Sequence, residues 1–375
     1  MGSSTARSRV ESGQTWDEFC DSLKAAGKII LRPETASSEI DRAEGWRYLS
    51  RLTRMGLEVC LENSDLDFPT LLNIPNTTAK AGADSPDNLY LTASIAGDRE
   101  YRLRGTRGTV PLMSFSTKSL VSSPEGHTVA TSTGGLDGKQ LIVEDDGTFE
   151  VAVSRDPRPG NWLPLGAKSN VLMIRQTFFD RSREVPASVV IERVGGPKTP
   201  MPLSAKRADA GLRAAAALVS RIATRYADWS KWYQGIPNTL RTVEGSPLRE
   251  EGTDPNTCYQ YGYWSIGADE ALVIETPVPP CELWNFQINN YWMESLDYRY
   301  HRVSLNKHSA RYNRDGSVTL VVAAADPGIG NFLDTAGHGC GTMALRWTRA
   351  QEPPVPHCRV EKLAVLRERT LAQAG

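Results

Sequence analysis

The densest group of side chains able to do chemistry lies in WNFQINNYWMESLDYRYHRVSLN, residues 284–306. If residues 297–306 form a strand, alternation places Tyr298, Tyr300 and Arg302 on one face. A core-facing side made of two phenols and a guanidinium is costly unless these groups are paired or line a wet cavity. That cost predicts a catalytic face here, and an exposed loop or edge strand with solvated polar groups is the alternative.

The same segment supplies further candidates. Asp297 and His301 alternate with the tyrosines and would lie on the opposite face of the strand. Tyrosine hydroxyls and a histidine ring exchange protons near neutral pH when their surroundings shift their pKa, and an arginine stabilises developing negative charge. The catalytic candidates are therefore Tyr298, Tyr300, Arg302, His301 and Asp297, with Trp284, Tyr291 and Trp292 as substrate contacts.

A second candidate is the charged loop in FFDRSREVPA, residues 178–187, after the apolar run VLMIRQTF. Asp180 and Arg181 in this loop are predicted to lie at the mouth of a pocket and to bind the substrate. The alternative is a surface network of ion pairs, which contributes little to stability.

Motifs for metal and nucleotide binding are missing from the sequence. The five histidines form no HExxH, the cysteines form no CxxC, and neither GxGxxG nor GxxxxGK[ST] occurs. GxSxG, the nucleophile turn of α/β-hydrolases, is also absent. His338 and Cys340 could supply two metal ligands, but the others would have to come from distant segments. We therefore expect no metal and no cofactor.

The charge balance and composition of the chain indicate which kinds of partner it binds. The 43 Lys and Arg residues balance 44 Asp and Glu residues, so we expect neither nucleic acid nor a membrane as partner. The expected partner is a small-molecule ligand, and the sequence leaves formation of a homo-oligomer open. The N-terminus lacks the apolar stretch of a signal peptide, and the six cysteines are scattered. These features predict a cytoplasmic protein with free thiols.

Two stretches of eight residues repeat along the chain. DPRPGNWL (156–163) and DPGIGNFL (326–333) keep Asp, Pro, Gly, Asn and Leu in register 170 positions apart. Arg175 and Arg346 in the apolar runs that follow are 171 residues apart, and the Asp-Gly pairs upstream are 169 apart. Offsets that drift by only two residues indicate two copies of one unit. The alternative is chance recurrence of common turn dipeptides.

Hydrophobic patterning predicts a mainly β protein with α additions. In residues 88–195, and again in residues 258–348, short runs of β-branched and aromatic residues alternate with Gly, Asp, Asn and Pro. These segments predict two tandem antiparallel β-sandwich or jelly-roll-like domains. Residues 1–87 are predicted to be a helical region, residues 204–235 a long linking helix, and residues 349–375 a C-terminal tail.

The helices are predicted from apolar stripes. In the linking helix, seven apolar or aromatic residues from Leu212 to Tyr233 step by three and four, and burial of this stripe against a β domain is favoured over a role as a pocket wall. Near the N-terminus, Trp16, Phe19 and Leu23 are predicted to lie on one face of a helix. A further helix is predicted to begin near Asp41 with a capping box.

The repeated loops have a structural explanation. Asp-Gly supplies the positive φ that a tight hairpin needs, and Asp-Pro-x-x-Gly-Asn builds a bend in which the Asn side chain can bind loop amides. Trp162 and Phe332 are predicted to fill the core beneath these bends. A catalytic role for the Asp and Asn residues of the loops is the alternative.

The strings NLYLTASIAGDREYRLRG, DGTFEVAVSRDPRPGNWLPLGAKSNVLMIRQTF and DGSVTLVVAAADPGIGNFLDTAGHGCGTMALRWTRA carry a family resemblance. They resemble proteins with the domain of unknown function 1214, which is often accompanied by the related 1254 module. The resemblance extends over most of the chain, residues 15–350. It implies two β-sandwich or jelly-roll-like domains with helical additions, and it implies no particular reaction.

Three functions remain open on the sequence. The first is a cofactor-independent acid–base enzyme, a lyase, isomerase or hydrolase, acting on a small, largely apolar molecule such as an aromatic, steroid or terpenoid. The second is a carbohydrate-binding or carbohydrate-processing β-sandwich, and the third is a non-catalytic scaffold. Buried ionisable groups in an apolar pocket would favour the first, an open aromatic groove the second, and the lack of any pocket the third.

Scattered cysteines in a cytoplasmic protein are usually free, so a reductant should leave the fold unaffected. We expect the same thermal midpoint with and without dithiothreitol, measured by differential scanning calorimetry. A large loss of stability on reduction would reveal a disulfide and contradict the predicted location.

Overall fold

The computed structural model describes residues 5–122, 128–242 and 256–374, and most of its strands belong to two β units. The first unit contains β1 (Asn88–Ser94), β2 (Tyr101–Thr106), β3 (Leu112–Ser122), β4 (Thr128–Asp137), β5 (Thr148–Ser154), β6 (Trp162–Pro164), β7 (Val171–Thr177) and β8 (Ser188–Arg193). A short strand, β9 (Thr239–Thr242), precedes the second unit. That unit contains β10 (Thr257–Ser265), β11 (Glu270–Thr276), β12 (Leu283–Ile288), β13 (Ser304–Asn306), β14 (Val318–Ala323), β15 (Phe332–Asp334), β16 (Cys340–Thr348) and β17 (His357–Lys362).

The two units have the same strand order. In the first, one sheet is ordered β1-β7-β3-β4 and the other β6-β5-β2-β8. In the second, the corresponding sheets are β10-β16-β12-β13 and β15-β14-β11-β17. Every strand of one unit has its counterpart at the same place in the other, so the predicted duplication is confirmed.

The duplication is also visible in which individual residues pair between neighbouring strands. Leu112 pairs with Thr177, and Leu283 pairs with Thr348, so both partners are shifted by 171 residues. On its other side, Thr177 pairs with Asn88 at the start of β1. Thr348 likewise pairs with Thr257 at the start of β10. The offsets found in the sequence are therefore those of paired strands.

Each unit is a sandwich whose two sheets enclose an apolar core. In the first, β2, β3, β5 and β7 contribute fully buried residues such as Leu103, Phe115 and Val151. In the second, Trp284, Phe286 and their neighbours fill the equivalent space. Side chains alternate between the two faces of each strand, so the residues between these core positions project from the outer faces.

The second unit extends beyond the predicted boundary at residue 348. Strand β17 pairs with β11 along its whole length. The following helix, α5 (Leu363–Ala374), buries Leu363 and Leu366 against the face of the sheet that also carries Val273. Residues 349–375 were predicted to be a tail, but their first part completes a sheet.

The repeated loops are held by the same bonds in both units. Asn331 donates to the carbonyls of Arg311 (2.7 Å) and Thr319 (3.0 Å) and accepts from the Arg311 amide (2.7 Å). Asn161 makes the three equivalent bonds to Ile142 and Glu150. The structural explanation of this Asn is therefore supported by its contacts.

The residue that fills the core beneath each bend is not the one predicted. Leu163 and Leu333 are fully buried, whereas Trp162 and Phe332 are only half-buried. The reason is alternation, since neighbouring residues of β6 and β15 face opposite sides of the sheet. Gly147 and Gly316 do adopt the predicted left-handed conformation, with φ of 83° and 82°.

Four helices pack together, and the longest of them contacts β10 and β16 of the second unit. They are α1 (Ala6–Glu11), α2 (Gln14–Gly27), α3 (Glu39–Leu57), which continues into a π-helical turn (Glu58–Glu62), and α4 (Ala205–Gln234). The stripe of α4 is buried as predicted, with Val219 and Tyr233 packed against α3 and against Tyr261 of β10. Its main partners include the N-terminal helices as well as a sheet.

Two details of the N-terminal helices add to the prediction. Trp16 and Phe19 lie on one side of α2 with their ring centres 5.5 Å apart, but only Phe19 is buried and Trp16 is 58% exposed. Helix α3 begins earlier than predicted because Ser38 is its N-cap and accepts a hydrogen bond from the Asp41 amide.

The predicted strand over residues 297–306 is wrong for most of its length. Only Ser304–Asn306 forms a strand, and the residues after Asp297 turn back so that the Tyr300 and His301 amides donate to the Asp297 carbonyl. Tyr300 is 79% exposed. The alternation argument fails here because a turn has no two-residue periodicity.

All six cysteines lie in the described ranges and are free. Within those ranges, no helix is both long and apolar enough to cross a bilayer.

The duplicated Asn allows a matched stability test. Asn331→Ala should destabilise the protein by about 2–4 kcal/mol because it leaves buried loop amides and carbonyls without partners. Asn161→Ala should cost about 1 kcal/mol, since its site is more exposed and water can replace the side chain. Urea unfolding of both variants measures the difference, and equal losses would contradict this account.

Candidate functional site

The two β units meet through the outer faces of the sheets β1-β7-β3-β4 and β10-β16-β12-β13, and a cavity of about 230 Å³ lies between them. Its walls combine apolar residues with polar ones. The lining residues used below are Asp87, Asn88, Leu112, Met113, Ser114, Ser116, Leu136, Asp137, Met173, Arg175, Asn256, Tyr259, Glu282, Leu283, Asn285, Arg346 and Arg349. Both copies of the repeat therefore contribute to one cavity.

A cross-strand pair of tyrosine and arginine occurs once in each half of this cavity. Tyr90 pairs with Arg175 between β1 and β7, and Tyr259 pairs with Arg346 between β10 and β16. The Arg175 guanidinium lies 5.6 Å from the centre of the Tyr90 ring, and that of Arg346 lies 5.9 Å from the Tyr259 ring. Both are cation–π contacts, which stabilise a charge that is partly removed from water.

Arg346 is buried and bound by neutral acceptors. Its Nη1 donates to Gln287 Oε1 (2.6 Å) and to Asn285 Oδ1 (3.1 Å), and its Nη2 donates to the Ala83 carbonyl. No carboxylate of the described residues forms an ion pair with it within 4.0 Å. A buried guanidinium surrounded by neutral acceptors keeps its positive charge available to the cavity.

Asn285 links Arg346 to a carboxyl group of the first unit. An arginine can only donate hydrogen bonds, so the Asn285 oxygen must face Arg346 and its amide group must point the other way. That amide donates to Asp87 Oδ2 at 2.6 Å. The three residues form one directed chain from guanidinium to carboxylate.

Asp87 titrates far from its usual range. Burial raises the pKa of Asp87 to about 6, against the hydrogen bonds from Asn306 and Asn285 and the charges of Arg181 and Arg346, which lower it. A carboxyl group with a pKa near neutrality can both take and give a proton at physiological pH.

The two halves of the cavity are not chemically equal. The position equivalent to Asp87 is Asn256, because the amide of Phe178 donates to the Asp87 carbonyl as that of Arg349 does to the Asn256 carbonyl. Ser114 stands opposite Arg175 where Asn285 stands opposite Arg346. The duplicated scaffold therefore carries an acid in one half and amides in the other.

Ion pairs between the two units border the cavity. Arg349 bonds both Asp137 and Glu282, the latter at 2.8 Å, and Lys139 pairs with Glu282 at 2.5 Å. Asp137 and Lys139 belong to the first unit, whereas Glu282 and Arg349 belong to the second. The network joins the units at one edge of the cavity.

The catalytic candidates taken from the sequence lie in a surface turn away from the cavity. Asp297 is bonded by Arg299 (2.8 and 2.7 Å), which lowers its pKa to about 2. His301 bonds Asp334 (2.7 Å) and Arg302 donates to the Gly330 carbonyl (3.1 Å). These contacts bind the turn to the end of β15 and to the loop before that strand.

The two tyrosines of the turn differ in burial. Tyr298 is half-buried against the core, with the Lys80 ammonium 4.8 Å from its ring centre, and burial raises its pKa to about 12. Tyr300 is solvated, with only the Arg299 guanidinium over its ring. The predicted inward face with Tyr298, Tyr300 and Arg302 together does not exist.

The predicted substrate contacts have structural partners. Trp284 is a core residue bonded to the Tyr312 hydroxyl (3.0 Å), and Trp292, packed beside Tyr291, donates to the Asp41 carbonyl (2.9 Å). All three indole and phenol rings are buried.

The second predicted loop lies behind the cavity wall. Arg181 donates to the carbonyls of Pro86 (2.5 Å) and Asn88 (2.6 Å), on either side of Asp87, while Asp180 bonds Ser182 within its own turn. None of the ten predicted site residues, all of which are described, lines the cavity. Arg181 alone approaches it.

The sequence analysis missed Asp87, Asn285 and the two arginines as site residues. A signal was present, because Arg175 and Arg346 are charged residues at equivalent positions of otherwise apolar strands. They were used only to align the repeats. Which strand faces meet could not be read from the alignment.

A solved structure is similar to this chain over nearly its whole length. The solved structure of an uncharacterized protein from Burkholderia cenocepacia is 46% identical, with a TM-score of 0.92 over 96% of this chain and 100% of that chain. The VPA0106 protein of Vibrio parahaemolyticus is 13% identical, with a TM-score of 0.47 over 85% of this chain and 98% of that chain. No curated protein matches.

A family description matches each β unit separately, over residues 90–177 and 259–352. The two matches coincide with the two copies of the repeat. The chain belongs to the family described as "Protein of unknown function (DUF1214)", and it carries that domain twice.

Proposed function

We propose that this protein is a cofactor-independent acid–base enzyme whose substrate is a small, largely apolar organic acid bound in the cavity between the β units. The observation that carries the proposal is the duplicated Tyr–Arg pair, which brings Arg175 and Arg346 to one cavity. Guanidinium groups in a partly desolvated site favour carboxylates, because they offer charge and fixed donors together.

The size and walls of the cavity support a compact ligand. A cavity of about 150 Å³ is enough for a benzene molecule, and this one measures about 230 Å³. It therefore suits a single ring or a short branched chain with one acidic group, rather than a steroid. Leu112, Met113, Leu136, Met173 and Leu283 provide apolar contact for the body of such a molecule.

The alternatives receive less support from the same features. A carbohydrate site would be served by an open groove with exposed aromatic rings, whereas Tyr259 is occupied by Arg346 and by Tyr261. A scaffold does not require a buried guanidinium and a carboxyl of raised pKa in one cavity, since burying charged groups costs stability.

Binding of benzoate tests the first half of the proposal. Benzoate should raise the thermal midpoint of the protein, whereas its neutral isostere benzamide should do so much less. Arg175→Met keeps the apolar part of the side chain and should weaken benzoate binding by about tenfold or more, because a charged hydrogen bond contributes about 1.5–3 kcal/mol. Isothermal titration calorimetry measures the affinities.

Tyr300→Phe is the matched control, since this tyrosine is exposed and lies away from the cavity. It should bind benzoate with wild-type affinity. If benzoate and benzamide bind equally well, the cavity does not select for an anion. If Arg175→Met and Tyr300→Phe lose benzoate affinity equally, the loss is not due to the arginine.

Exchange of substrate hydrogens with solvent tests the second half. Small aromatic 2-oxo acids such as phenylpyruvate have an acidic C–H beside a carbonyl, which an acid–base enzyme can exchange. In D₂O the wild-type protein should accelerate loss of this proton signal in ¹H NMR, and positioned proton transfer contributes about 10²–10⁴ in rate. If 2-oxo acids bind but exchange no faster than in buffer, the protein binds this class of molecule without acting on it as an enzyme.

A further inference from the structure

Asp87 shares the cavity with the two arginines, and this arrangement has a consequence that rests on the proposed function. We propose that the cavity takes up an organic anion together with one proton, which is bound by Asp87. The protein then binds both parts of a weak acid: the arginines bind its anion, and the Asp87 carboxyl binds the proton.

Arg346 acts both on Asp87 and on a ligand anion. Asn285 connects Arg346 to Asp87 through bonds of 3.1 and 2.6 Å, so Arg346 stabilises the ionised carboxylate through one intervening amide. A ligand anion near Arg346 draws on the same positive charge. Two negative charges in a partly desolvated space repel each other, and the more weakly held one gains a proton.

Burial already disfavours the ionised form of Asp87 in the absence of a ligand. Arg181 flanks it from the loop after β7 and Arg346 from β16, yet burial outweighs both and leaves its pKa at about 6. Arg175 on β7, Lys118 on β3 and Arg349 are the other cations that line the cavity. A further negative charge nearby can only raise the pKa of Asp87.

The remaining charged groups around the cavity do not offset this effect. Asp137 and Glu282 at its edge are carboxylates, and both are paired with Arg349. Lys139 is paired with Glu282. The fixed charges at the edge are thus engaged with one another, and Asp87 is the cavity carboxyl that has an amide instead of a cation as its direct partner.

A protonated Asp87 can do what the ionised group cannot. It becomes a hydrogen-bond donor toward the cavity and can give its proton to a ligand atom that gains negative charge. The Asn285 amide, whose orientation is fixed by Arg346, holds the carboxyl group in place during the exchange.

Calorimetric titration with benzoate measures the proton directly. At pH 7 the observed heat should depend on the ionisation enthalpy of the buffer, with an uptake approaching one proton per benzoate bound. Benzoate affinity should fall as the pH rises from 6.5 to 8, by up to about tenfold per pH unit, because the ionised Asp87 must be protonated before the complex forms. Benzoate itself stays ionised throughout.

Two variants of the same chemistry separate Asp87 from other carboxyl groups. Asp87→Asn keeps the shape and removes the titration, so its benzoate affinity should be independent of pH from 6.5 to 8, with no proton uptake. Asp98→Asn removes an exposed carboxylate before β2 and should behave like the wild type. Proton uptake that persists in Asp87→Asn would overturn the proposal.

A measurement without ligand checks the titration of Asp87, and the benzoate titrations distinguish failure of this inference from failure of the proposed function. Burial that raises the Asp87 pKa disfavours the ionised form in the folded state, so Asp87→Asn should have a higher thermal midpoint than the wild type at pH 8, and the difference should shrink as the pH falls below 6 towards the unfolded-state pKa of about 3.9. If benzoate binds with no proton uptake, the coupling is wrong and the anion site stands. If benzoate does not bind at any pH, the proposed function is wrong, and the coupling falls with it whatever the midpoints show.

Discussion

The buried guanidinium of Arg346 is the interaction on which the rest of the site depends. Its donors are received by Asn285 and Gln287 on β12 and by the carbonyl of Ala83 in the segment before β1, so one side chain of the second unit holds the start of the first. Removing any acceptor would leave a charged donor without a partner in a place that water reaches poorly, which is far more costly than losing an ordinary surface bond. The need of Arg346 for acceptors therefore sets the orientation of the amide side chains around it. Through Asn285 it also sets the position of the Asp87 carboxyl.

Duplication explains how such polar residues came to be buried. In a single sandwich, the outer face of each sheet is solvated and tolerates serine, threonine and arginine. Here two such faces meet, and the outward rows that contain Arg175 and Arg346 become the walls of a shared cavity. Once water was excluded, each polar residue needed a partner or a ligand. The second β unit supplies amide side chains to the cavity, whereas the first supplies serines and an aspartate. The two ends of the cavity therefore differ chemically although the two units share one fold.

A carboxyl of raised pKa beside a buried guanidinium is an arrangement suited to moving protons on an anionic molecule, because the cation orients the charge while the acid remains able to change its state near pH 7. Under the proposed function, the same arrangement limits ligand size and class more strongly than the β-sandwich fold does, since that fold serves many unrelated functions. The turn that contains Tyr298 and Tyr300 illustrates the difference. It is rich in groups that could react, but its charges are paired with one another on the surface, where the hydrogen bonds from Arg299 lower the pKa of Asp297.

The β content, the long helix, the loop bonds of the repeated Asn and the register of the duplication could all be predicted from the amino-acid sequence, because they follow from local periodicity and turn chemistry within single segments. The sequence did not predict that β17 completes a sheet beyond residue 348, nor that residues 297–303 turn instead of extending. Nor did it predict which outer faces meet, and therefore that Asp87, Asn285, Arg175 and Arg346 share a cavity while ten residues of more reactive appearance do not. A side chain on a strand face is solvated or buried according to what covers that face, and here the covering element lies about 170 residues away along the chain.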